Sequence, residues 1–277
     1  MSARKAMSVD LRRIADALDR LAPPPVPDAD ARGPGPFVWA DGRLRAVRSP
    51  SPPPLGRLLG IDAAKAAVVE NVGRLAHARP AHDMLLWGAR GMGKSALIKA
   101  AVADVAARGG RAALVEIARD ELASLPALFD RLADAVPNAF LIFTDDLSFE
   151  ADERQWKALR SVLEGGVSAR PDNTRLAATS NRRHLVARDI AENDAINPRD
   201  TADDRLALAD RFGLSLGFHV CDQDTYLAIV QGYAAEHGLL FDGADALAWA
   251  AGRGNRSGRV AWQYAQEMLG RLKKQRI

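Results

Sequence analysis

The chain has little of several features that mark specialised protein classes. It contains one cysteine, Cys221, so it cannot form an intrachain disulfide or bind zinc through a cysteine cage. No hydrophobic run approaches the roughly 18–20 residues that cross a bilayer, and the charged N-terminal stretch lacks the apolar segment of a secretory signal. The 38 basic residues barely exceed the 35 acidic ones, so charge alone establishes no nucleic-acid partner. We therefore expect a cytoplasmic enzyme or binding protein with no membrane association.

The first 55 residues differ from the rest of the chain. Residues Val9–Leu21 place apolar side chains at helical spacing, and two proline-rich stretches follow them. Proline fixes φ and removes a backbone donor, so we expect residues 1–55 to form an N-terminal helix on a loosely structured arm. Two alternatives stay open: the arm packs on the body of the protein, or it extends toward a partner.

From residue 56 onward, short apolar strands alternate with helical patterns, and 48% of the 277 residues are hydrophobic. The predicted strands are Met84–Trp87, Ala112–Ile117, Ala139–Thr144, Arg175–Thr179 and Leu214–Phe218. This alternation predicts an α/β domain over residues 56–220, with helices on both faces of a parallel sheet. Residues 221–277 show helical patterns without a convincing strand, which predicts a small all-helical domain.

One motif points to specific chemistry. Residues 88–95, GARGMGKS, match the phosphate-binding pattern G-x-x-x-x-G-K-[ST] in full, between a predicted strand and a predicted helix. This context disfavours a chance match. Backbone N–H groups of such a loop face phosphate oxygens, the amine of Lys94 is expected to reach the β- and γ-phosphates, and the hydroxyl of Ser95 is expected to bind Mg²⁺. The predicted nucleotide-binding residues are Gly88, Ala89, Arg90, Gly91, Met92, Gly93, Lys94, Ser95 and Ala96.

A second predicted strand ends in two acids, Asp145 and Asp146. A P-loop enzyme needs an acid at such a strand end to hold Mg²⁺. We assign Asp145 to the metal and Asp146 to the base that polarises the attacking water. Asp146 as a helix N-cap and Glu150 as a rival base stay open as alternatives.

Polar residues also follow the predicted strand Arg175–Thr179. Asn181 is placed to hydrogen-bond the γ-phosphate or the attacking water, although asparagine is also a common turn residue. His184 lies on a polar turn and is left out of the proposed chemistry.

Together these motifs resemble those of AAA+ ATPases. From about residue 35 to the C-terminus, the chain more closely resembles an uncharacterised bacterial AAA+ family catalogued as a domain of unknown function. The segments that carry this resemblance are LLGID, LLWGARGMGKSALIKA, FLIFTDDLSFE, AATSNRRHL, ADRFGLSLGFH and RGNRSGRVAWQY. The resemblance implies the AAA+ fold and ATP chemistry, but no established cellular role.

The resemblance also implies roles for individual residues. Gly60 and Ile61 resemble the adenine-contacting segment, residues 88–95 resemble the Walker A loop, and Asp145 resembles the Walker B metal ligand. Asn181 resembles the sensor residue on the strand between the two Walker strands. Where most AAA+ proteins have glutamate after the Walker B aspartate, this chain has Asp146, and the more closely resembling family shares that departure.

Two arginines resemble the family's phosphate-binding arginines. Arg211 resembles the arginine finger, which acts in trans on a neighbouring subunit and so implies a homo-oligomer. Arg259 resembles the second sensor, which bridges the helical lid and the nucleotide. The alternatives are a surface salt bridge for Arg211 and a helix-start residue in a glycine-rich loop for Arg259.

The sequence therefore favours an ATPase that uses ATP and Mg²⁺ to remodel an unknown protein or nucleic-acid client. An ATP-switched binding module with slow or no hydrolysis, and a DNA-associated helicase-loader or initiator-like ATPase, remain as alternatives. A small-molecule phosphotransferase is disfavoured by the roles implied for Arg211 and Arg259. Peptide threading is disfavoured because residues 118–124 contain no aromatic residue and no glycine. Basic residues that would form a nucleic-acid surface are Arg182, Arg183, Arg253, Arg256, Arg259, Lys273, Lys274 and Arg276.

Overall fold

The computed structural model describes residues 13, 28–48, 50–147, 159–163, 170–181 and 210–274. Several residues considered above lie outside these ranges, namely Glu150, Arg182, Arg183, His184, Arg276 and all of the predicted helix Val9–Leu21 except Arg13. No helix in the described ranges is both long enough and apolar enough to cross a membrane.

Within the described residues, a mostly parallel sheet has the strand order β2-β1-β4-β5-β6-β3-β7. Its strands are β1 (Phe37–Ala40), β2 (Arg43–Ala46), β3 (Met84–Gly88), β4 (Ala112–Ile117), β5 (Ala139–Thr144), β6 (Thr174–Ser180) and β7 (Leu214–Phe218). The pair β1–β2 is antiparallel, whereas the other neighbouring strands run parallel. The parallel sheet predicted from the alternating pattern is confirmed.

Helices cover the sheet and continue beyond it. They are α1 (Asp62–Ala76), α2 (Lys94–Ala107), α3 (Leu125–Ala133), α4 (Gln223–Glu236), α5 (Gly243–Gly252) and α6 (Gly258–Lys274). Short 3-10 helices span Leu55–Arg57 and Arg119–Ser124, and residues 159–163 are helical. The predicted helical character of the C-terminal part is confirmed for its described residues.

The central strand β5 shows why the sheet needs helices on both faces. All six of its residues are buried, as expected of a strand inside a covered parallel sheet. Leu141 and Phe143 belong to a cluster with residues of α1 and α2. The alternate residues Phe140 and Ile142 belong to a second cluster with residues of α3. Because strand side chains alternate between faces, one apolar run supplies both cores.

The C-terminal helices share the first of these clusters. Tyr226 on α4 and Tyr264 on α6 are buried, and their hydroxyls donate to the carbonyl of Ala246 (3.2 Å) and to Asp245 Oδ2 (3.0 Å). Burial raises the pKa of each tyrosine to about 12. These contacts join α4, α5 and α6 into one packed unit against the sheet.

The hairpin β1–β2 packs on the body of the protein, which is one of the two alternatives for the arm and replaces a loose structure over residues 37–46. Phe37, Trp39 and Leu44 are buried beneath α3, and the indole of Trp39 donates to Ser124 Oγ at 2.7 Å. Asp28 Oδ1 accepts a hydrogen bond from the backbone of Leu44 at 2.6 Å. Because this hairpin continues the sheet through β4, we propose that the α/β domain begins near residue 28 rather than at residue 56.

The sheet order also places the candidate site. Strand β6 lies between β3 and β5 and pairs in parallel with both, as the resemblance implies for the strand before Asn181. The carboxyl ends of these three strands therefore lie at one edge. The glycine-rich loop, the two acids and Asn181 follow them there.

Candidate nucleotide-binding site

The glycine-rich loop connects β3 to α2. Gly91 adopts a φ of +77°, in the left-handed region that favours glycine. A β carbon at this position would lie 2.8 Å from Ser257 Oγ. Glycine therefore serves both the curled backbone and the close approach of the C-terminal helical unit.

Lys94 is the first residue of α2, and its side chain folds back over the loop. Its Nζ donates to the carbonyls of Gly88 (2.9 Å) and Ala89 (2.8 Å) and to Asn181 Oδ1 (3.2 Å). The residue is only 6% exposed. An amine held over a glycine-rich loop at a helix N-terminus fits the phosphates of a nucleotide.

The charges around Lys94 act in opposite directions on its protonation. Burial is the largest influence and lowers the pKa of Lys94 from its ordinary value of 10.5. Asp145 and Asp146 oppose this shift, whereas the cations Arg90 and Arg259 reinforce it. The net lowering indicates a buried cation whose charged form an added anion would stabilise.

Asp145 follows β5 and faces the start of α2. Its Oδ1 accepts hydrogen bonds from Ser95 Oγ (2.6 Å), from the backbone N–H of Asp146 (3.1 Å) and from Thr179 Oγ1. Carboxylate and hydroxyl oxygens are ligands that suit Mg²⁺, which usually takes its other ligands from phosphate and water. Asp145 and Ser95 therefore fit the predicted magnesium site.

Asp146 has an unusual backbone for a residue other than glycine, with a φ of +52°. Its N–H donates to Thr179 Oγ1 at 2.9 Å, and its carbonyl accepts from Arg119 Nη1 at 3.0 Å. Its carboxylate Oδ1 accepts from Asn181 Nδ2. Aspartate tolerates this region better than most residues do, so the conformation suits the residue found here.

Arg259 joins the C-terminal helical unit to the loop. Its backbone N–H donates to the carbonyl of Gly91 at 3.1 Å, and its side chain contributes to the cavity above the loop. The lid role that the resemblance implies for Arg259 stays a prediction.

The cavity has a volume of about 750 Å³, which falls within the range of ligand pockets. Its polar side contains Arg90 to Ala96, Asp145, Asp146, Thr179, Asn181 and Arg259. Its apolar side contains Leu58, Leu59, Ile61, Ile229, Tyr233 and Trp262. The lining of the cavity therefore combines the glycine-rich loop and charged side chains with apolar side chains.

The structure places three of the predicted nucleotide-binding residues beside the cavity rather than in its lining. Gly60 packs on α4, where an added β carbon would lie 2.3 Å from Thr225 Cγ2. Gly88 ends β3, and the next N–H, from Ala89, donates to the carbonyl of Phe218 on β7 at 2.7 Å. These residues set the shape of the glycine-rich loop and the packing around it against α4 and β7.

Arg211 lies apart from the other predicted residues. It is exposed and precedes β7, at the amino end of the strands and opposite the glycine-rich loop. The structure does not bring it into the cavity of its own chain, so any contact with a nucleotide would be in a neighbouring subunit.

Sequence reasoning missed Thr179 and Arg119, which contact the two acids, and Tyr233 and Trp262, which line the cavity. Thr179 alone had a local signal, since it lies two residues before Asn181 and alternate strand residues share a face. The other three reach the site from separate elements.

Residues 35–272 match the family described as "Protein of unknown function (DUF815)". The chain belongs to this family. Among curated proteins, none matches this DUF815 chain.

The DUF815 chain is similar in structure to two kinds of solved protein. One is Thermotoga maritima RuvB, described as a Holliday junction branch migration motor, with a TM-score of 0.52, 15% identity, and coverage of 80% of this chain and 67% of RuvB. The other is the Aeropyrum pernix Orc1 protein in complex with DNA, with a TM-score of 0.56, 15% identity, and coverage of 79% of this chain and 62% of Orc1. At this identity the likeness shows the fold, which is that of the AAA+ P-loop proteins.

Proposed function

We propose that the chain binds ATP with Mg²⁺ and hydrolyses it, and that hydrolysis remodels an unknown partner. The observation that carries this proposal is the meeting of Lys94, Asp145, Asp146 and Asn181 at one sheet edge, above a glycine-rich loop. In P-loop enzymes such groups supply phosphate binding, metal binding and orientation of the attacking water.

Binding follows from the loop and α2. Backbone N–H groups and the helix N-terminus favour anionic phosphates, and Lys94 exchanges its carbonyl partners for phosphate oxygens. Ser95 and Asp145 would hold Mg²⁺, whose positive charge would offset the negative charge of the phosphates. Ile61 and Tyr233, on the apolar side of the cavity, cover the base.

Hydrolysis needs a positioned water. We assign Asp146 to accept its proton and Asn181 to orient the water or the γ-phosphate, because the two side chains already share a hydrogen bond. Arg259, on α6 of the helical unit, senses the nucleotide from its place beside Gly91. Residues 221–277 are then the lid whose movement transmits the change.

A second function is favoured by one observation. Asp146 is shorter than the usual glutamate, and its carboxylate is already bound to Asn181. An ATP-switched binding module with slow or no hydrolysis would follow if this contact persists with ATP bound.

We propose that the chain forms a cytoplasmic homo-oligomer in which Arg211 of one subunit completes the nucleotide site of its neighbour. The client of this oligomer is a protein or a nucleic acid. The Orc1 match was solved with DNA, which keeps a DNA-associated role as an alternative. DNA binding at low salt would support that alternative, and its absence would favour a protein client.

The purified chain tests the function directly. We expect ATP binding by calorimetry and Mg²⁺-dependent phosphate release that EDTA stops. The matched control is Lys94→Ala, which should abolish both. Binding without release would favour the switch, whereas equal ATP affinity in the wild-type protein and Lys94→Ala would overturn the proposed site.

A further inference from the structure

We infer that Thr179 is a positioning residue that orients both acids of the site through one hydroxyl group. This inference rests on the proposed function and names a residue to which neither the motifs nor the family resemblance gives a role.

The contacts of Thr179 are specific. Its Oγ1 donates to Asp145 Oδ1 and accepts from the backbone N–H of Asp146 at 2.9 Å. Its own carbonyl accepts from the N–H of Leu147 at 2.7 Å. The side chain is 1% exposed and comes from β6, the strand next to β5. One residue therefore binds three consecutive residues of the neighbouring strand end.

The hydroxyl links the metal site to the base. As a donor it directs the carboxylate of Asp145, and as an acceptor it stabilises the backbone turn at Asp146, where φ is +52°. Arg119 holds the other side of this turn by donating to the Asp146 carbonyl at 3.0 Å. Because the turn sets where the Asp146 carboxylate points, loss of the hydroxyl would loosen both acids together.

This pairing distinguishes Thr179 from Ser95. Ser95 also donates to Asp145 Oδ1, but it lies in the first turn of α2 and its expected role is to bind the metal. Thr179 reaches the same oxygen from β6 and adds the contact to Asp146. Its effect on the reaction is therefore on the geometry of the acids.

The test uses three variants of the full chain. Thr179→Val keeps the shape and removes the hydroxyl, whereas Thr179→Ser keeps the hydroxyl. Thr144→Val is the matched control, because Thr144 is buried on β5 beside Ala178 and its hydroxyl has no hydrogen-bond partner within the described residues. If Thr179→Val does not fold, Thr179→Ala replaces it.

We expect Thr179→Val to lower kcat by about tenfold or more, in the range for loss of an outer partner of a metal-binding carboxylate. It should also raise the Mg²⁺ concentration for half-maximal activity, while leaving Mg²⁺-free ATP affinity within about twofold because Lys94 is untouched. Thr179→Ser should restore most of both properties, and Thr144→Val should match the wild-type protein. A hydroxyl that only stabilised the fold would leave the Mg²⁺ dependence of the reaction unchanged.

Failures of the two proposals are distinguishable. A wild-type protein that hydrolyses ATP, with Thr179→Val equal to it in rate and Mg²⁺ dependence, overturns the inference and leaves the function standing. If the wild-type protein binds ATP without hydrolysis, the readout becomes the gain in ATP affinity on adding Mg²⁺, which Thr179→Val should lose. No ATP binding by the wild-type protein overturns both.

Discussion

Lys94 and Asn181 are joined by a hydrogen bond of 3.2 Å from the lysine Nζ to the asparagine Oδ1. The other end of the same amide donates to Asp146 Oδ1. The proposed phosphate-binding cation and the proposed base are therefore connected through one side chain. Because an amide has a donor end and an acceptor end, asparagine can bridge a cation and a carboxylate at once.

Replacing Asn181 should separate binding from turnover. We expect Asn181→Ala to leave ATP affinity within about threefold of the wild-type value and to lower kcat by about a hundredfold, as for loss of one positioned donor. Asn181→Asp is the informative second variant, since it has the same size but puts a carboxylate beside Asp146. It should lower kcat at least as far in phosphate-release assays, and an active Asn181→Asp would argue against the donor role.

The protonation of Lys94 should make ATP binding sensitive to alkaline pH. Burial lowers the pKa of Lys94 below 10.5, so this lysine loses its charge at a lower pH than an exposed lysine would. We expect ATP affinity, measured by calorimetry, to fall as the pH rises toward 10.5. Lys94→Arg keeps its charge over this range, and an equal fall in that variant would exclude Lys94 as the cause.

The lowered pKa of Lys94 affects stability in the opposite direction. Without nucleotide, it makes the free energy of unfolding rise with pH. A lysine with a lowered pKa in the folded state binds fewer protons there than in the unfolded chain, so its contribution to the free energy of unfolding rises with pH until about 10.5. In denaturant unfolding, the stability of the wild-type protein relative to Lys94→Met should therefore rise with pH, and a difference that stays constant would contradict this.

Asparagine at position 146 should preserve the fold but not ATP hydrolysis. We expect Asp146→Asn to bind ATP and lose hydrolysis, with little change in the free energy of unfolding, because asparagine also accepts a positive φ. Asp146→Glu places a longer side chain on the left-handed backbone, at a cost of about 1 kcal/mol, so it should be less stable and no faster. Wild-type hydrolysis by Asp146→Asn would show that another group is the base.

Most of the fold was predictable because its signals are local. The apolar runs of β3, β5 and β6 are long enough to indicate buried strands, and the loop motif fixes Lys94 and Ser95 by spacing alone. The hairpin β1–β2 was not predicted, because each strand has four residues and prolines surround the pair. Strand β1 forms by pairing with β4, which is far away in the sequence.

The sequence predicted only those site residues that belong to recognisable motifs. Asp145, Asp146 and Asn181 follow apolar strands, so strand ends reveal them. Arg119 donates to a residue 27 positions away, and such a contact depends on the order of strands in the sheet. The left-handed backbone at Asp146 likewise results from tertiary contacts that no local pattern shows.

Arg259 should act on the nucleotide through the lid. We expect Arg259→Ala to lower ATP affinity by about tenfold, in line with the loss of a charged hydrogen bond to phosphate. Arg253→Ala is the matched control, because Arg253 belongs to the same helical unit but stacks 3.4 Å above the ring of Trp249. Equal affinities in the two variants would mean that Arg259 has only a structural role.

Arg211 should matter only in an assembly. It lies outside the cavity of its own chain, so we expect Arg211→Ala to bind ATP normally but to hydrolyse it about a thousandfold more slowly than the wild-type oligomer, as for loss of an arginine finger. Turnover that rises with protein concentration in the wild-type protein alone would support completion of the site by a neighbour.

A mixing experiment separates action in trans from a local effect. Arg211→Ala subunits keep an intact Lys94, and Lys94→Ala subunits keep an intact Arg211, so neither variant alone forms a complete site. In a head-to-tail ring assembled from equal amounts, about a quarter of the interfaces combine an intact loop with an intact arginine. We therefore expect activity to reappear on mixing, at a fraction of the wild-type rate. If mixing restores nothing while both variants still co-assemble, Arg211 does not act across the interface, and its exposed position before β7 has another purpose.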